Sequence, residues 1–109
     1  MATNFIQEGH RISFTAAAAV KSGDLVMVNA LAVVALTDVA LGAKGSGAPD
    51  GVFELANKDN TLAIAQGEKV YRVTATGKLS NVAADAEYIG IAWEAAAEAA
   101  TTVIVKLNA

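Results

Sequence analysis

Apolar and polar residues alternate over short stretches along much of the chain, and small turn-forming residues separate these stretches. In residues 10–15, Ile12 and Phe14 fall on one face and Arg11 and Ser13 on the other, which is the pattern of a half-buried strand. Comparable segments predict further strands at 25–28, 31–36, 52–55, 69–74, 88–93 and 102–107. Leu79 and Ser80 are predicted to form the second strand of a hairpin that begins with residues 69–74. Many short strands with frequent turns indicate an all-β fold, a small antiparallel β-barrel or sandwich.

Turn-forming residues lie between the predicted strands. Residues 21–24 (Lys-Ser-Gly-Asp) predict a turn, and Asn29-Ala30 predicts a tight hairpin between the second and third strands. Further polar turns are predicted at residues 57–60 and 67–68. Residues 76–78 (Thr-Gly-Lys) predict the bend of another hairpin.

Three stretches do not follow the strand pattern. Alanines at 16–19 and the alanine- and glutamate-rich residues 94–100 favour helix by propensity. Both are too short to organise the fold, so we expect a connector at the first and a loop or a short helix at the second. Residues 42–51 contain four glycines and the only proline, which predicts the longest and most mobile loop.

Two strands near the end of the chain differ in their patterns. In residues 102–107, Val103, Val105 and Leu107 share one face, opposite a more polar one. In residues 88–93 both faces are apolar, with Ile89, Ile91 and Trp93 together on one of them. A strand without a polar face is buried on both sides. We therefore expect Trp93 in the core, with a subunit or partner interface as the alternative.

Composition narrows the classes of protein. The 109 residues suit one domain, and 54% hydrophobic with 17% charged residues favour a folded chain over a disordered one. The absence of cysteine excludes disulfides, thiol catalysis and cysteine-based metal sites. No apolar run approaches the roughly 20 residues that span a bilayer. A net charge of −3 with dispersed basic residues argues against nucleic acid as a partner.

Few residues suggest catalysis, metal binding or cofactor binding. His10 is the only histidine, so a histidine metal cluster is excluded and a surface role is favoured over catalysis. Glu94 and Glu98 would share a helix face, but only alanines surround them, and a solvated face is the simpler interpretation. The order of Lys44 and the glycines after it fits neither a P-loop nor a dinucleotide fingerprint. We expect no catalytic residue, no metal and no cofactor.

Lys78 supports one alternative function. A lysine at a hairpin tip is the modification site of biotinyl and lipoyl carrier domains, which are small all-β modules. The flanking Thr76-Gly77 and Leu79-Ser80 lack the neighbours such carriers usually show. A small β carrier or ligand-binding module therefore stays the second hypothesis.

Six short segments, taken in order, resemble the capsid-cement, or head-decoration, family of tailed bacteriophages. They are residues 4–9 (Asn-Phe-Ile-Gln-Glu-Gly), 19–26 (Ala-Val-Lys-Ser-Gly-Asp-Leu-Val), 51–55 (Gly-Val-Phe-Glu-Leu), 64–71 (Ile-Ala-Gln-Gly-Glu-Lys-Val-Tyr), 89–92 (Ile-Gly-Ile-Ala) and 101–108 (Thr-Thr-Val-Ile-Val-Lys-Leu-Asn). The likeness covers nearly the whole chain. Two departures are Asn29-Ala30, where a glycine would be expected, and a longer, more glycine-rich stretch at 42–50.

The resemblance implies a non-enzymatic virion protein that sits on the outside of the mature capsid and ties neighbouring major capsid subunits together. It also implies self-association, with a trimer as one form. On this interpretation residues 1–9 form an extended arm and residues 10–109 the β-barrel-like domain. The expected capsid or subunit contacts are Thr3, Asn4, Phe5, Ile6, Gln7 and Trp93.

Overall fold

The computed structural model describes residues 10–109. The predicted arm at residues 1–9, with Thr3, Asn4, Phe5, Ile6 and Gln7, lies outside the described residues. Nine strands follow one another along the described part of the chain: β1 Ile12–Thr15, β2 Leu25–Val28, β3 Leu31–Ala35, β4 Lys44–Ala48, β5 Val52–Leu55, β6 Lys69–Val73, β7 Leu79–Ser80, β8 Ala86–Ala92 and β9 Val103–Leu107. They form a four-stranded sheet in the order β1-β4-β3-β2 and a five-stranded sheet in the order β5-β9-β8-β6-β7. Every strand pair is antiparallel, so the all-β prediction is confirmed.

The hairpin between β2 and β3 forms as predicted, with Val28 opposite Leu31 and two residues in the turn. Asn29 takes a φ of 54°, in the left-handed region. Asparagine tolerates this region better than most residues because its short side chain can hydrogen-bond locally. Asparagine therefore does at this turn what glycine would otherwise do.

The prediction of a mobile loop at residues 42–51 is wrong for its central part. Residues Lys44–Ala48 form β4, which pairs with β1 on one side and with β3 on the other. A Cβ atom at Gly45 would lie 2.2 Å from a Val39 methyl carbon, and one at Gly47 would lie 2.0 Å from a Val33 methyl carbon. These two glycines therefore permit close packing in the centre of a sheet, whereas the sequence pattern suggested flexibility.

The five-stranded sheet curls until its last strand meets the chain that follows its first. Leu79 in β7 donates its backbone N–H to the carbonyl of Asn57 and accepts the N–H of Asp59, at 2.9 Å in both cases. The bridge between Lys58 and Leu79 is parallel. This contact turns the sheet into a barrel-like wall around the main core.

Apolar side chains form two clusters, and β3 contributes to both. Ala32 and Val34 point to the main core, which the five-stranded sheet surrounds, while Val33 and Ala35 point to a smaller core with Phe14. Burying a valine side chain stabilises a fold by about 1.5–3 kcal/mol. Because both its faces are buried, β3 joins the two cores into one domain.

The alternation predicted for residues 88–93 fails at Ile89. Val70 lies opposite Gly90 and Tyr71 opposite Tyr88, so a β-bulge places one extra residue, Ile89, in β8. The extra residue reverses the alternation, and Ile89 is fully buried. Ile91 and Trp93, predicted to share its face, point outward.

Two further segments that connect strands have no helical structure. Residues 16–19 are a connector, as expected, and residues 94–100 form a loop with a single bridge between Ile64 and Ala96. Residues 10–109 contain no helix, and hence none that could span a membrane.

Candidate interaction surface

The outer side of the five-stranded sheet carries a mixed apolar and charged surface. In one row across the sheet, Val52 lies opposite Lys106, Lys106 opposite Ile91, and Ile91 opposite Lys69. In the next row Glu54 lies opposite Ile104, and the backbone of Trp93 pairs with Ile104. We call this surface the outer-face patch; it comprises Val52, Glu54, Lys69, Ile91, Trp93, Ile104 and Lys106.

Trp93 is the largest side chain of the patch. Its backbone N–H donates to the carbonyl of Ile104 at 2.8 Å, and its own carbonyl accepts from the side-chain amide of Gln66 at 3.2 Å. The first of these bonds extends the β8–β9 pairing by one residue. The neighbouring Ala92 points into the core, so Trp93 points outward by alternation and is 50% exposed. The expectation that Trp93 is a core residue is therefore wrong.

Lys106 stabilises the position of the indole ring. Its ammonium nitrogen lies 5.7 Å from the centre of the Trp93 ring, within the range of a cation–π interaction. At exposed sites this interaction contributes about 0.5–1 kcal/mol. The ring thus has a preferred orientation although half of its surface remains open to solvent.

Three more side chains make this surface apolar. Val52 is 42% exposed, and Ile91 and Ile104 are partly exposed beside Trp93. Contiguous exposed apolar groups with a charged rim often mark sites of protein–protein contact. The outer-face patch therefore has the composition of a binding surface.

The described chain begins at His10, close to the connection between β4 and β5. The Nδ1 atom of His10 lies 2.6 Å from a carboxylate oxygen of Asp50. Both side chains are exposed, which confirms the expected surface position of His10.

The remaining sequence candidates do not converge. Glu94 and Glu98 are both exposed, in a loop instead of a helix, which agrees with the interpretation that they are solvated. Lys78 is exposed at the β6–β7 hairpin, as predicted, and its carbonyl accepts the backbone N–H of Val73 at 2.8 Å. Among residues 10–109 no group of histidine, aspartate and glutamate side chains could hold a metal ion.

A buried lysine is the main feature that sequence reasoning missed. Lys58 is only 3% exposed, and its ammonium donates to four backbone carbonyls, 2.5–3.3 Å away. The acceptors are the carbonyls of Asp59, Leu62, Glu98 and Ala100. The lysine thus ties together two loops that lie 40 positions apart in sequence. Its position in a polar turn offers no signal that distinguishes it from an exposed lysine.

Asp59, next to this lysine, organises the same turn. Its carboxylate accepts the Thr61 hydroxyl at 2.6 Å and the Thr61 backbone N–H at 2.9 Å. These two hydrogen bonds lower the pKa of Asp59, and the charges of Lys78 and Lys58 add to the effect. The turn is therefore built around an ionised carboxylate.

Two open clefts lie beside this turn, with volumes of about 360 and 470 Å³. Both are lined by Ala56, Asn57 and Thr76; the first also contacts Arg72 and the second Lys78. Polar residues and glycines outnumber the apolar residues in the lining of both clefts. Neither cleft has the deep, largely apolar form of a typical small-molecule site.

A comparison with protein families shows what the chain is similar to. The family model described as "Phage cement protein" matches residues 6–107, nearly the whole chain. The chain belongs to the phage cement protein family. Membership implies a structural role for this cement protein in a phage, in association with the capsid of the virion. No curated protein and no solved structure matches the chain.

Proposed function

We propose that this cement protein binds the outer surface of the mature capsid and links adjacent major capsid subunits. The family match over residues 6–107 carries the proposal. In this role the protein stabilises the head against the pressure of the packaged DNA. The protein is made in the bacterial host and acts on the assembled shell.

The physical properties of the domain suit this role. A cement needs a rigid core and exposed contacts, and here β3 joins two buried clusters while Trp93 and Val52 stay exposed. The net charge of −3 does not favour contact with DNA, which suits a position outside the shell. The proposal requires neither catalysis nor a cofactor.

Residues Thr3, Asn4, Phe5, Ile6 and Gln7 are proposed to form the arm that reaches the shell. An extended peptide can add a strand to an exposed sheet edge, and backbone hydrogen bonds then supply affinity without a preformed pocket. The domain would sit on the capsid surface while the arm pairs with a neighbouring subunit. Trp93 is the proposed contact residue of the domain itself.

Many copies on one shell would act together. Each copy makes a small contact, but simultaneous contacts raise the effective concentration of every other one, so that the coat resists removal. Self-association belongs to the proposal, and a trimer at the local three-fold positions is its expected form on the head. Closed symmetry of this kind is common in protein assemblies.

Co-sedimentation with heads tests the proposal. Heads of the encoding phage that lack the protein are prepared in the unexpanded form and in the expanded, DNA-filled form, and each is titrated with purified protein. We expect saturable binding to expanded heads and little to unexpanded ones. Binding to neither form would refute the proposal, and equal binding to both would refute its restriction to the mature capsid.

The arm has its own test. A variant lacking the residues before Gly9 should lose most of its binding to heads while its melting temperature stays within a few degrees of that of the full chain. Replacing Phe5 and Ile6 by serine should reproduce much of the loss, whereas replacing the exposed Leu41 and Val82 by serine serves as the matched control. Full binding by the truncated protein would contradict the assignment.

A further inference from the structure

We propose that Asp50 and Gly51 form a site of spontaneous modification, at which Asp50 is converted to isoaspartate with His10 as the proton donor. The two residues lie in the short link between β4 and β5, which joins the four-stranded sheet to the five-stranded one. The reaction concerns the chain itself and does not depend on binding to a head.

Glycine follows an aspartate at one place in the sequence, Asp50-Gly51. When the backbone nitrogen of the next residue attacks an aspartate side chain, a five-membered succinimide ring closes. A Cβ atom on that next residue crowds the attack, and glycine has none. The other four aspartates precede residues that carry a Cβ atom; they are Asp24, Asp38, Asp59 and Asp85. The sequence therefore singles out Asp50 among the aspartates.

The structure leaves the attacking nitrogen accessible. Asp50 and Gly51 are both exposed. Gly51 has a φ of 108°, and within the described residues 10–109 its backbone N–H donates no hydrogen bond, although its carbonyl accepts the Leu107 N–H at 3.0 Å. No hydrogen bond of this N–H therefore has to break before the nitrogen attacks the carboxyl group of Asp50.

His10 supplies the proton that ring closure consumes. An ionised carboxylate is a poor electrophile because the departing oxygen must be protonated before it leaves as water. The Nδ1 atom of His10 lies 2.6 Å from Oδ2 of Asp50, so that a protonated imidazole donates its N–H directly to this oxygen. A positioned side chain that protonates a leaving group acts as a general acid. Oδ2 is therefore the oxygen that leaves.

Two steps convert Asp50, and water is the only other reactant. In the first, the Gly51 nitrogen bonds to Cγ of Asp50 and the Cγ–Oδ2 bond breaks; Oδ2 leaves as water with the Gly51 amide proton and the Nδ1 proton of His10. In the second, water adds to the backbone carbonyl carbon of Asp50, and the bond from that carbon to the Gly51 nitrogen breaks. The main chain then runs through Cβ and Cγ. The former backbone carbonyl becomes a free carboxylate, and its proton returns to His10.

The modification lengthens the link between the two sheets. Isoaspartate adds one carbon to the main chain, about 1.5 Å. The carbonyls on either side of this carbon are both held: the Pro49 carbonyl accepts the side-chain amide of Asn108 at 2.5 Å, and the Gly51 carbonyl accepts the Leu107 N–H. Because the two donors belong to consecutive residues, the longer link loses one of these bonds. The modified form is therefore less stable.

Incubation of the full-length protein at physiological temperature and neutral pH tests the site. Fragmentation of its peptides by electron transfer distinguishes isoaspartate from aspartate, although their masses are equal. Isoaspartate should accumulate at residue 50 well ahead of the other four aspartates in the same sample. Asp50→Glu is the matched control, since glutamate keeps the charge but would have to close a six-membered ring. This variant should form no isomer at residue 50.

His10→Gln tests the proton donor, because glutamine keeps a hydrogen-bond donor without an acidic proton. General acids in enzymes accelerate reactions by about 10²–10⁴-fold. Since His10 and Asp50 are exposed and water competes as a proton source, we expect accumulation to be slower by at least about fivefold in this variant. Lys44→Gln removes a positive charge from the exposed start of β4 and should leave the rate unchanged. Circular dichroism confirms that each variant is folded.

The isoaspartate form, separated by reversed-phase chromatography and refolded beside the unmodified form, tests the effect on the link. Its melting temperature should be lower by several degrees, as the loss of one hydrogen bond causes in a domain of this size. An unchanged melting temperature would contradict that loss. No isoaspartate at residue 50 in the time that converts a free Asp-Gly peptide, or equal accumulation in His10→Gln, would overturn the proposal.

Discussion

The side chain of Asn108 binds both backbone polar groups of Ala32, 76 positions earlier in the chain. Its Oδ1 accepts the Ala32 N–H at 3.2 Å, and its Nδ2 donates to the Ala32 carbonyl at 2.8 Å. Nδ2 also donates to the carbonyl of Pro49 at 2.5 Å. The amide thus replaces a neighbouring strand on the side of β3 that faces away from β2, and it links the end of the five-stranded sheet to the four-stranded one.

We predict that Asn108→Gly lowers the free energy of unfolding by about 2–3 kcal/mol, because partly buried backbone groups of Ala32 and Pro49 lose their partners. Glycine is chosen because Asn108 has a φ of 54°, which alanine would adopt only with strain. Urea denaturation measures the change. Asn60→Gly, at an exposed turn residue, is the control and should change stability by less than about 1 kcal/mol. Equal stability of the two variants would show that the amide contributes little.

Removal of the Lys58 ammonium tests how much its hydrogen bonds to the four surrounding backbone carbonyls stabilise the fold. Lys58→Met keeps the aliphatic length but leaves four inward-facing carbonyls without their donor. A hydrogen bond to a charged group contributes about 1.5–3 kcal/mol, so we expect a loss of about 3 kcal/mol or more in denaturation experiments. Lys78→Met removes an exposed lysine nearby and should have almost no effect. If Lys58→Met left the free energy of unfolding unchanged, water would replace the ammonium without cost.

Gly47→Ala distinguishes a packed strand from a mobile loop. In a mobile loop this substitution would be neutral or stabilise the protein slightly, because alanine restricts the unfolded chain. In β4 the added Cβ would meet a Val33 methyl carbon at 2.0 Å, and overpacking of this kind costs about 1–3 kcal/mol. The melting temperature should therefore fall by several degrees. The control is Ser46→Ala, which alters the exposed residue between the two packed glycines.

The titration of Asp59 tests the turn that directly follows Lys58. Thr61→Val removes the hydroxyl donor and keeps the backbone donor, so the pKa of Asp59 should rise part of the way to its ordinary value. A carboxyl group whose pKa is lowered on folding stabilises the native state above its ordinary pKa. That contribution is lost as the pH falls through the lowered value.

Carboxyl NMR shifts followed from neutral to acidic pH report the Asp59 pKa directly. Thr37→Val, in the four-stranded half of the molecule, is the control and should leave the Asp59 titration unchanged. An Asp59 pKa that is the same in Thr61→Val and in the unmodified protein would exclude the hydroxyl as the main cause.

Most strands could be predicted because their signal is local. The alternation in 102–107 correctly assigns Val103, Val105 and Leu107 to the core, and the turn residues at 29–30 and 76–78 correctly separate two hairpins. The interface residues Thr3, Asn4, Phe5, Ile6 and Gln7 stay a prediction. For the outer-face patch, the sequence pattern offered an interface position for Trp93 only as the alternative to a core position.

What the sequence determined by itself is therefore the all-β class, the hairpins and the family, since each depends on periodicity, turn chemistry or the order of short segments. Only the tertiary structure decided the role of Gly45 and Gly47, because a glycine packed under Val39 or Val33 looks the same in sequence as one in a flexible loop. Likewise, the bulge at Ile89 turns Trp93 away from it, and Lys58 finds its carbonyls only when distant loops meet. Register and burial depend on long-range pairing, which no local pattern contains.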